Sequence, residues 1–255
     1  MSFRLSYYRV MIANLGAAGR QFVTVAEGIA LPAAQVRYAC MLRHDVDRQP
    51  ARSVAMARLE HTLGVRSTYY FRCTRNGRFP SAAIATIAGL GHEVGYHYET
   101  LSHFGGDMSQ AVAAFHKNLA NFRTLAPCRS VSMHGAPLSR HDNFMLVGCV
   151  DLHALHLVDA MRDMAPLNPV YFTDTGGSWN AGGHRNRRDA VGEVPVQAPD
   201  FLDPSAAAAF SHGLPRLLYI NTHPERWPST RLGYVQAAAT DALVNVAKRC
   251  ARHVA

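Results

Sequence analysis

"YACMLRHDVDRQPARSVAMARLEHTLGVRSTYYFR", residues 38–72, contains one complete strand, helix and strand unit. Residues 38–47 and 66–72 are rich in apolar, β-branched and aromatic side chains, which predicts two strands. Between them, apolar residues recur at helical spacing, Pro50 suits a first helical turn and Gly64 suits a C-terminal cap. Two strands connected in this way are expected to lie parallel in one sheet.

The same alternation continues along the rest of the chain. A capping box at Asp107 and Gln110 predicts the start of a helix, and a last helix is predicted at about 234–250. The stretch 176–214 is rich in Gly, Pro and Ala and is predicted to form long loops over one face. Residues 1–255 are expected to form a single domain built on a parallel sheet, either open or closed into a barrel. The remaining predicted strands are 21–25, 92–98, 130–135, 169–177 and 215–223.

Composition excludes some classes of protein. No apolar run approaches the roughly 20 residues that span a membrane, and the N-terminus does not resemble a signal peptide, so a cytoplasmic protein is expected. The five cysteines form no C-x-x-C pair and are expected to be reduced thiols. The net charge of +8 comes without a recognised nucleic-acid-binding motif, so nucleic acid is not the expected partner.

One basic cluster stands out, "HRNRRD" at 184–189. It is interpreted either as a solvated face or as a site where Arg185, Arg187 and Arg188 meet phosphate or carboxylate groups of a sugar.

Ionisable residues stand at the carboxyl ends of five predicted strands. In parallel α/β folds these ends converge on one face, where catalytic groups collect. Any one of these residues could be structural, and Asp174 before "TGG" could simply build a turn. Together they predict a functional cluster, because so many ionisable groups left buried without partners would be costly. The residues are Asp45 and Asp47, His97, His134, Asp174 and His223.

A set of histidines and aspartates without cysteine is typical of a catalytic divalent ion, most simply zinc with three protein ligands and one open position. Such an ion would lower the pKa of a water toward neutrality, and a nearby carboxylate could complete its deprotonation.

Four segments of the chain resemble the polysaccharide deacetylase family, the fourth carbohydrate esterase family, and especially its small bacterial members linked to surface-polysaccharide biosynthesis. These segments are "LRHDVD", "GHEVGYHYE", "SMHGAP" and "NTHPERW", and the resemblance covers about residues 38–228. It implies a distorted (β/α) barrel of about seven strands. It also implies a metal-dependent hydrolase that removes N- or O-acetyl groups from sugars.

The resemblance also implies roles for individual residues. Asp45 corresponds to the general base that takes a proton from the attacking water, and Asp47 and His97 correspond to metal ligands. His223 corresponds to the general acid that protonates the leaving amine. Its ordinary pKa near 6.5 suits that role at neutral pH.

The chain departs from the family at the third metal ligand. The family has a second histidine four residues after the first, and Leu101 stands at that position here. His134 is the favoured replacement, and His103 is close behind if its loop curls back. Glu99 is a third candidate, close to His97 in the sequence but expected to point away from the ion.

The substrate is expected to be a small sugar or glycan, anionic or nucleotide-linked, bound by Arg140, Asp174, Trp179 and Arg185. Trp179 could stack on a sugar ring or belong to the core, whereas Trp227 is expected in the core. The alternative function is a barrel that has lost catalysis and binds carbohydrate or a partner protein, and Leu101 is the residue that suggests it.

Overall fold

The computed structural model describes residues 3–177, 179, 190–195, 197–213 and 216–253, with side chains described as far as residue 243. Its strands form one parallel sheet curled into a half-barrel, in the order β6-β5-β4-β3-β2-β8-β7, and short β1 pairs with the first half of β2. The predicted distorted (β/α) barrel is therefore confirmed. The strands are β1 Gln21–Val23, β2 Ala39–Val46, β3 Thr68–Phe71, β4 Glu93–Tyr98, β5 Ser130–Met133, β6 Val158–Asp159, β7 Val170–Thr173 and β8 Leu218–Thr222.

Helices flank the sheet, and the strand, helix and strand unit at residues 38–72 forms β2, α4 and β3. The helix predicted at Asp107 is present, since the Asp107 side chain accepts a hydrogen bond from the Gln110 amide at 3.0 Å. No helix among the described residues is both long and apolar enough to cross a bilayer. The helices are α1 Leu5–Ala17, α2 Val25–Ile29, α3 Ala33–Val36, α4 Pro50–Thr62, α5 Ser81–Gly89, α6 Thr100–His103, α7 Met108–Arg123, α8 Pro204–Gly213 and α9 Arg231–His253.

Helices α1 and α8 are the longest that were not predicted from the sequence, and the short helices α2, α3 and α6 were not predicted either. Helix α1 buries one face in the hydrophobic core, including Tyr8, Met11 and Leu15. Helix α8 lies inside the stretch 176–214, which was predicted as loops; its run of four alanines has high helix propensity and Pro204 starts it.

Central strand β2 is buried along its whole length and uses its two faces differently. Arg43 and Asp45 point into the half-barrel, where the Arg43 guanidinium lies 5.6 Å from the ring centre of Tyr70. His44 points to the opposite face, toward the helices. Because side chains alternate along a strand, three consecutive polar residues are divided between two separate buried environments.

Glu60 on α4 is the centre of the polar network behind β2. Its carboxylate accepts hydrogen bonds from Tyr8, from Ser67 at 2.6 Å and from Tyr69 at 2.7 Å, and it contacts His44 Nε2 at 2.9 Å. Burial opposes ionisation of Glu60, but His44 and these donors outweigh it and lower the pKa of Glu60 to about 2. The network therefore keeps a buried carboxylate ionised with its partners in place.

Candidate functional site

The carboxyl ends of β2, β4 and β5 bring three predicted metal ligands together. Asp47 follows β2, His97 lies in β4 and His134 follows β5. Asp47 Oδ1 lies 3.6 Å from His97 Nε2 and 3.5 Å from His134 Nε2, and the two imidazole rings are 5.2 Å apart between centres. One carboxylate oxygen and two ring nitrogens thus face a common point.

Each imidazole is held by its other nitrogen. His97 Nδ1 lies 3.0 Å from the backbone oxygen of Ser132, which can only accept, so Nδ1 donates the hydrogen bond and Nε2 is left with its lone pair in the neutral ring. His134 Nδ1 lies 2.9 Å from Glu99 Oε2. Metal-binding histidines in proteins are usually oriented in this way, by a carboxylate or a backbone oxygen behind the ring.

The charges of this cluster are strongly coupled. Burial lowers the pKa of His97 to about 4, with Asp45 and Asp47 opposing the shift. For His134 burial acts in the same direction, but Asp47 and Glu99 outweigh it and raise the pKa to about 9. Asp47 is also desolvated, yet the neighbouring histidines hold its pKa well below its ordinary value. His97 is consequently neutral at pH 7 while His134 carries a proton.

The donor set fits a divalent ion such as zinc. Ligand atoms around a tetrahedral zinc ion with bonds of about 2.0 Å are about 3.3 Å apart, close to the two separations at Asp47. Asp47 Oδ1 is buried and forms no hydrogen bond with a described residue. Among the described residues, no group of three or more His, Cys, Asp or Glu side chains is arranged so that it could hold a metal ion.

The other two candidates for the third ligand lie outside this cluster. The Glu99 carboxylate binds the Arg72 guanidinium through two hydrogen bonds of 2.7 and 2.8 Å and also meets His134. His103 Nε2 lies 3.3 Å from the other oxygen of the same carboxylate, Glu99 Oε1. Leu101 is buried in the hydrophobic core. Among the described contacts, His103 thus meets Glu99 and none of Asp47, His97 and His134.

Asp45, the predicted general base, is fixed by three hydrogen bonds. Arg43 Nε and Nη2 donate to its two oxygens, each at 2.8 Å, and Asn221 Nδ2 donates to Oδ2 at 3.0 Å. Burial opposes ionisation, but Arg43, His97 and His223 together lower the pKa of Asp45 to about 2. Asp45 Oδ2 lies 3.8 Å from His97 Nε2, so the carboxylate borders the cluster.

His223, the predicted general acid, is held by a buried carboxylate. Its Nδ1 lies 2.6 Å from Asp174 Oδ1, and Asp174 Oδ2 accepts from the His223 amide at 3.0 Å and from Trp227 Nε1 at 2.6 Å. Burial and Arg226 disfavour the imidazolium, but Asp174 outweighs them and raises the pKa of His223.

The residues predicted to bind substrate lie in different environments. Asp174, predicted to bind substrate, is completely buried, and its two oxygens contact His223 Nδ1 and Trp227 Nε1, so it supports His223. Trp179 is half-buried at the edge of the core, where it packs edge-on against Phe3 at 5.3 Å between ring centres and in a tilted arrangement against Trp227 at 5.8 Å. Trp227 is buried, as expected.

Two arginines complete the predicted set. Arg140 lies exposed on the loop after His134. Arg185, together with Arg187 and Arg188, lies outside the described residues.

Arg43 and Asn221 were missed in the sequence, and Glu99 was considered only as a metal ligand and not as a residue that supports one. Arg43 stands two residues before Asp45, and alternation along a strand would have put both on the same face. Asn221 donates to Asp45 from β8, so this contact depends on the pairing of β2 with β8. Glu99 stands two residues after His97, but its contact with His134 depends on the pairing of β4 with β5. Neither a protein-family model nor a curated protein sequence matches this chain.

Proposed function

We propose that this protein is a metal-dependent deacetylase that hydrolyses an N-acetyl or O-acetyl group on a sugar, acting in the cytoplasm in surface-polysaccharide biosynthesis. The observation that carries the proposal is the position of Asp45 and His223 beside the candidate metal ligands Asp47, His97 and His134. Asp45 is an ionised carboxylate, and His223 is an imidazole with a raised pKa. The resemblance of the four sequence segments to the deacetylase family supports the same reaction.

Asp47, His97 and His134 would hold the ion, with zinc as the first choice because the set combines two imidazoles and one carboxylate. When bound, the ion would supply Lewis acidity to the acetyl carbonyl and lower the pKa of water. The main support for Asp47 as a metal ligand is that its buried Oδ1 forms no hydrogen bond with a described residue.

Asp45 would remove the proton from the attacking water. Among the described residues, its Oδ1 accepts from Arg43 Nε alone, so a second acceptor position remains on that oxygen. A carboxylate with a pKa of about 2 is a weak base, and it can act only on an acidified water. Asp45 can therefore act as a general base only if the ion held by Asp47, His97 and His134 acidifies the water.

His223 would protonate the leaving group. The hydrogen bond from Nδ1 to Asp174 fixes the ring and raises its pKa, which leaves Nε2–H to donate to the departing nitrogen or oxygen. Asp174 is thus a positioning residue in this mechanism.

Acetate release tests the proposal directly. The zinc- or cobalt-treated protein is incubated with a panel of N- and O-acetylated sugars, sugar phosphates and nucleotide-linked sugars. We expect acetate from at least one of them and a loss of at least about a hundredfold in Asp45→Asn and His223→Gln, as for removal of a general base or acid. His153→Gln, in an exposed loop, is the matched control. Full activity in Asp45→Asn would disprove the mechanism.

A carbohydrate-binding or protein-binding barrel without catalysis is the second candidate. Two observations favour it: Leu101 is a core residue, and both oxygens of Asp45 already accept hydrogen bonds. Under this function the purified chain takes up no zinc, cobalt, nickel or manganese near stoichiometry and releases no acetate from any member of the panel.

A further inference from the structure

Arg72 adds a further charged side chain to the candidate site. It directly follows β3, which lies between β2 and β4 in the sheet, so Arg72 stands at the carboxyl end of the sheet between Asp47 and Glu99. The side chain of Arg72 is 30% exposed and that of Asp47 is 20% exposed, so a ligand can reach both. No site residue was predicted from the sequence at the end of this strand.

The guanidinium of Arg72 is anchored through two of its three nitrogen atoms. Nε donates to Glu99 Oε1 at 2.7 Å, and Nη2 donates to Glu99 Oε2 at 2.8 Å. The third nitrogen, Nη1, forms no hydrogen bond with a described residue, and its ion pair with Asp47 Oδ1 measures 4.0 Å, which is too long for a hydrogen bond. Because a bidentate pair fixes the plane of the guanidinium, the two N–H groups of Nη1 keep a fixed direction.

The space next to Nη1 is where the proposed reaction takes place. Asp47 Oδ1, the oxygen proposed to bind the ion, lies 3.6 Å from His97 Nε2 and 3.5 Å from His134 Nε2. Asp45, the proposed base, borders the same atoms, since its Oδ2 lies 3.8 Å from His97 Nε2. An acetyl group attacked by water at this cluster can therefore place its oxygen within hydrogen-bonding distance of Nη1.

The chemistry of a guanidinium suits an oxygen that gains negative charge during a reaction. An arginine side chain stays charged at neutral pH, and its N–H groups bind an anionic oxygen more strongly than a neutral one. A donor that is held in place before the reaction stabilises the developing charge without having to reorient. The two hydrogen bonds to Glu99 hold Arg72 in this way.

We propose that Arg72 is a catalytic residue whose Nη1 donates a hydrogen bond to the acetyl oxygen as that oxygen becomes negatively charged. When the water oxygen bonds to the acetyl carbon, the π pair of the carbonyl group moves onto the acetyl oxygen and Asp45 takes a proton from the water. When that pair returns, the bond from the acetyl carbon to the sugar nitrogen or oxygen breaks, and the leaving atom takes a proton from His223. Arg72 keeps all its protons throughout. The inference rests on the proposed deacetylase function for the reaction itself.

Binding of methylphosphonate tests the contact without catalysis, because this ion has the tetrahedral shape and the charged oxygens of the attacked acetyl group. Calorimetric titrations use the zinc-treated full chain and, separately, the chain in EDTA, which separates binding to Arg72 from binding to a metal ion. We expect Arg72→Met to weaken binding by about ten- to a hundredfold in the zinc-treated chain and to weaken it in EDTA as well.

Arg66→Met is the matched control. Arg66 flanks the other end of β3 and forms its ion pair with Glu27, so this variant should bind methylphosphonate like the unaltered chain. Circular dichroism checks that each variant is folded.

Zinc affinity separates a direct contact from an effect through Glu99. If Arg72 only holds Glu99 behind His134, Arg72→Met should weaken zinc binding as much as Glu99→Gln does. A direct contact leaves the zinc affinity of Arg72→Met at least as high as that of the unaltered chain, since a nearby cation has been removed. Arg72→Lys is the second variant, because a single ammonium group cannot reproduce both the bidentate contact with Glu99 and the contact of Nη1.

Kinetics give a further readout if the panel yields a substrate. Arg72→Met should lower kcat and kcat/KM equally, by about a hundredfold, because the contact strengthens only as the acetyl oxygen becomes charged.

Three results would overturn the inference: no binding of methylphosphonate to the unaltered chain in either condition, equal binding by the variants of Arg72 and by Arg66→Met, or a loss of zinc affinity in Arg72→Met as large as that in Glu99→Gln. Binding that depends on Arg72 in a chain that releases no acetate would instead overturn the deacetylase function and leave the anion contact of Arg72 standing.

Discussion

Arg43 and Asp45 stand two residues apart on the same buried strand and are joined by a bidentate ion pair, Nε to Oδ1 and Nη2 to Oδ2, both 2.8 Å. The pair is closed to solvent, with the Arg43 side chain 0% and the Asp45 side chain 3% exposed. Because Arg43 binds both oxygens of Asp45, a ligand or water can approach this carboxylate only from its remaining sides.

Removing Arg43 should destabilise the fold and not only the site. Arg43→Met leaves a buried carboxylate without its partner, which costs about 3–5 kcal/mol of unfolding free energy. In Arg43→Met/Asp45→Asn the loss should be clearly smaller than the sum of the two single losses, since no uncompensated charge remains. Urea unfolding measures all three; additive losses would contradict the coupling.

Metal binding should distinguish His134 from His103. We expect His97→Ala and His134→Ala to lose stoichiometric zinc binding, whereas His103→Ala keeps it because His103 contacts Glu99 rather than Asp47. Glu99→Gln should weaken binding by about 10- to 100-fold, as for other groups that orient a metal ligand. Competition with a chromophoric chelator measures each affinity, and loss of binding in His103→Ala would reverse the assignment.

Zinc binding at pH 7 should release about one proton. His134, with a pKa of about 9, is protonated in the metal-free chain and must lose that proton to bind an ion, whereas His97, with a pKa of about 4, is already neutral. Calorimetry in buffers of different ionisation enthalpy counts the protons. Binding that takes up protons, or releases none, would refute this ligand set.

The metal-free protein should lose stability in alkaline solution. The pKa of His134 is raised from 6.5 to about 9 in the folded chain, so its contribution is complete below about pH 6.5 and is lost as the pH rises through about 9. The contribution is at most about 3 kcal/mol. Urea unfolding from pH 6.5 to 9.5 in EDTA should show this slope, and His134→Gln should flatten it.

Asp174→Asn should lower the pKa of His223. The carboxylate is the main group that stabilises the imidazolium against burial and Arg226. NMR titration of labelled histidines in the metal-free chain gives this pKa independently of activity. In an active enzyme, the alkaline limb of kcat/KM should move to lower pH by the same amount, whereas a purely structural role would lower activity at every pH equally.

Much of the fold follows from the sequence because strands and helices leave strong local patterns. The runs at 38–47 and 215–223 are apolar, end in ionisable residues and form β2 and β8 with the polar residues at the expected ends. Helix α1 lacks a clear start signal, since Arg4 at its N-cap forms no side-chain capping bond, and the two-residue β6 is too short to have a period.

The contacts among site residues were less accessible to prediction. That Asp174 supports His223 depends on β7 lying beside β8, and that Glu99 supports His134 depends on β4 lying beside β5. Such pairings are set by the whole sheet. Only Arg43 could have been placed beside Asp45 from local spacing alone.

The sheet order also fixes when the site can be completed during folding. The three candidate ligands all precede residue 135, on β2, β4 and β5, but β8 inserts beside β2 from the end of the chain, and Asn221 reaches Asp45 across 176 residues. A contact of such long range is formed late and slowly. During synthesis, the three candidate ligand side chains are therefore made, and can come together, before His223 is made.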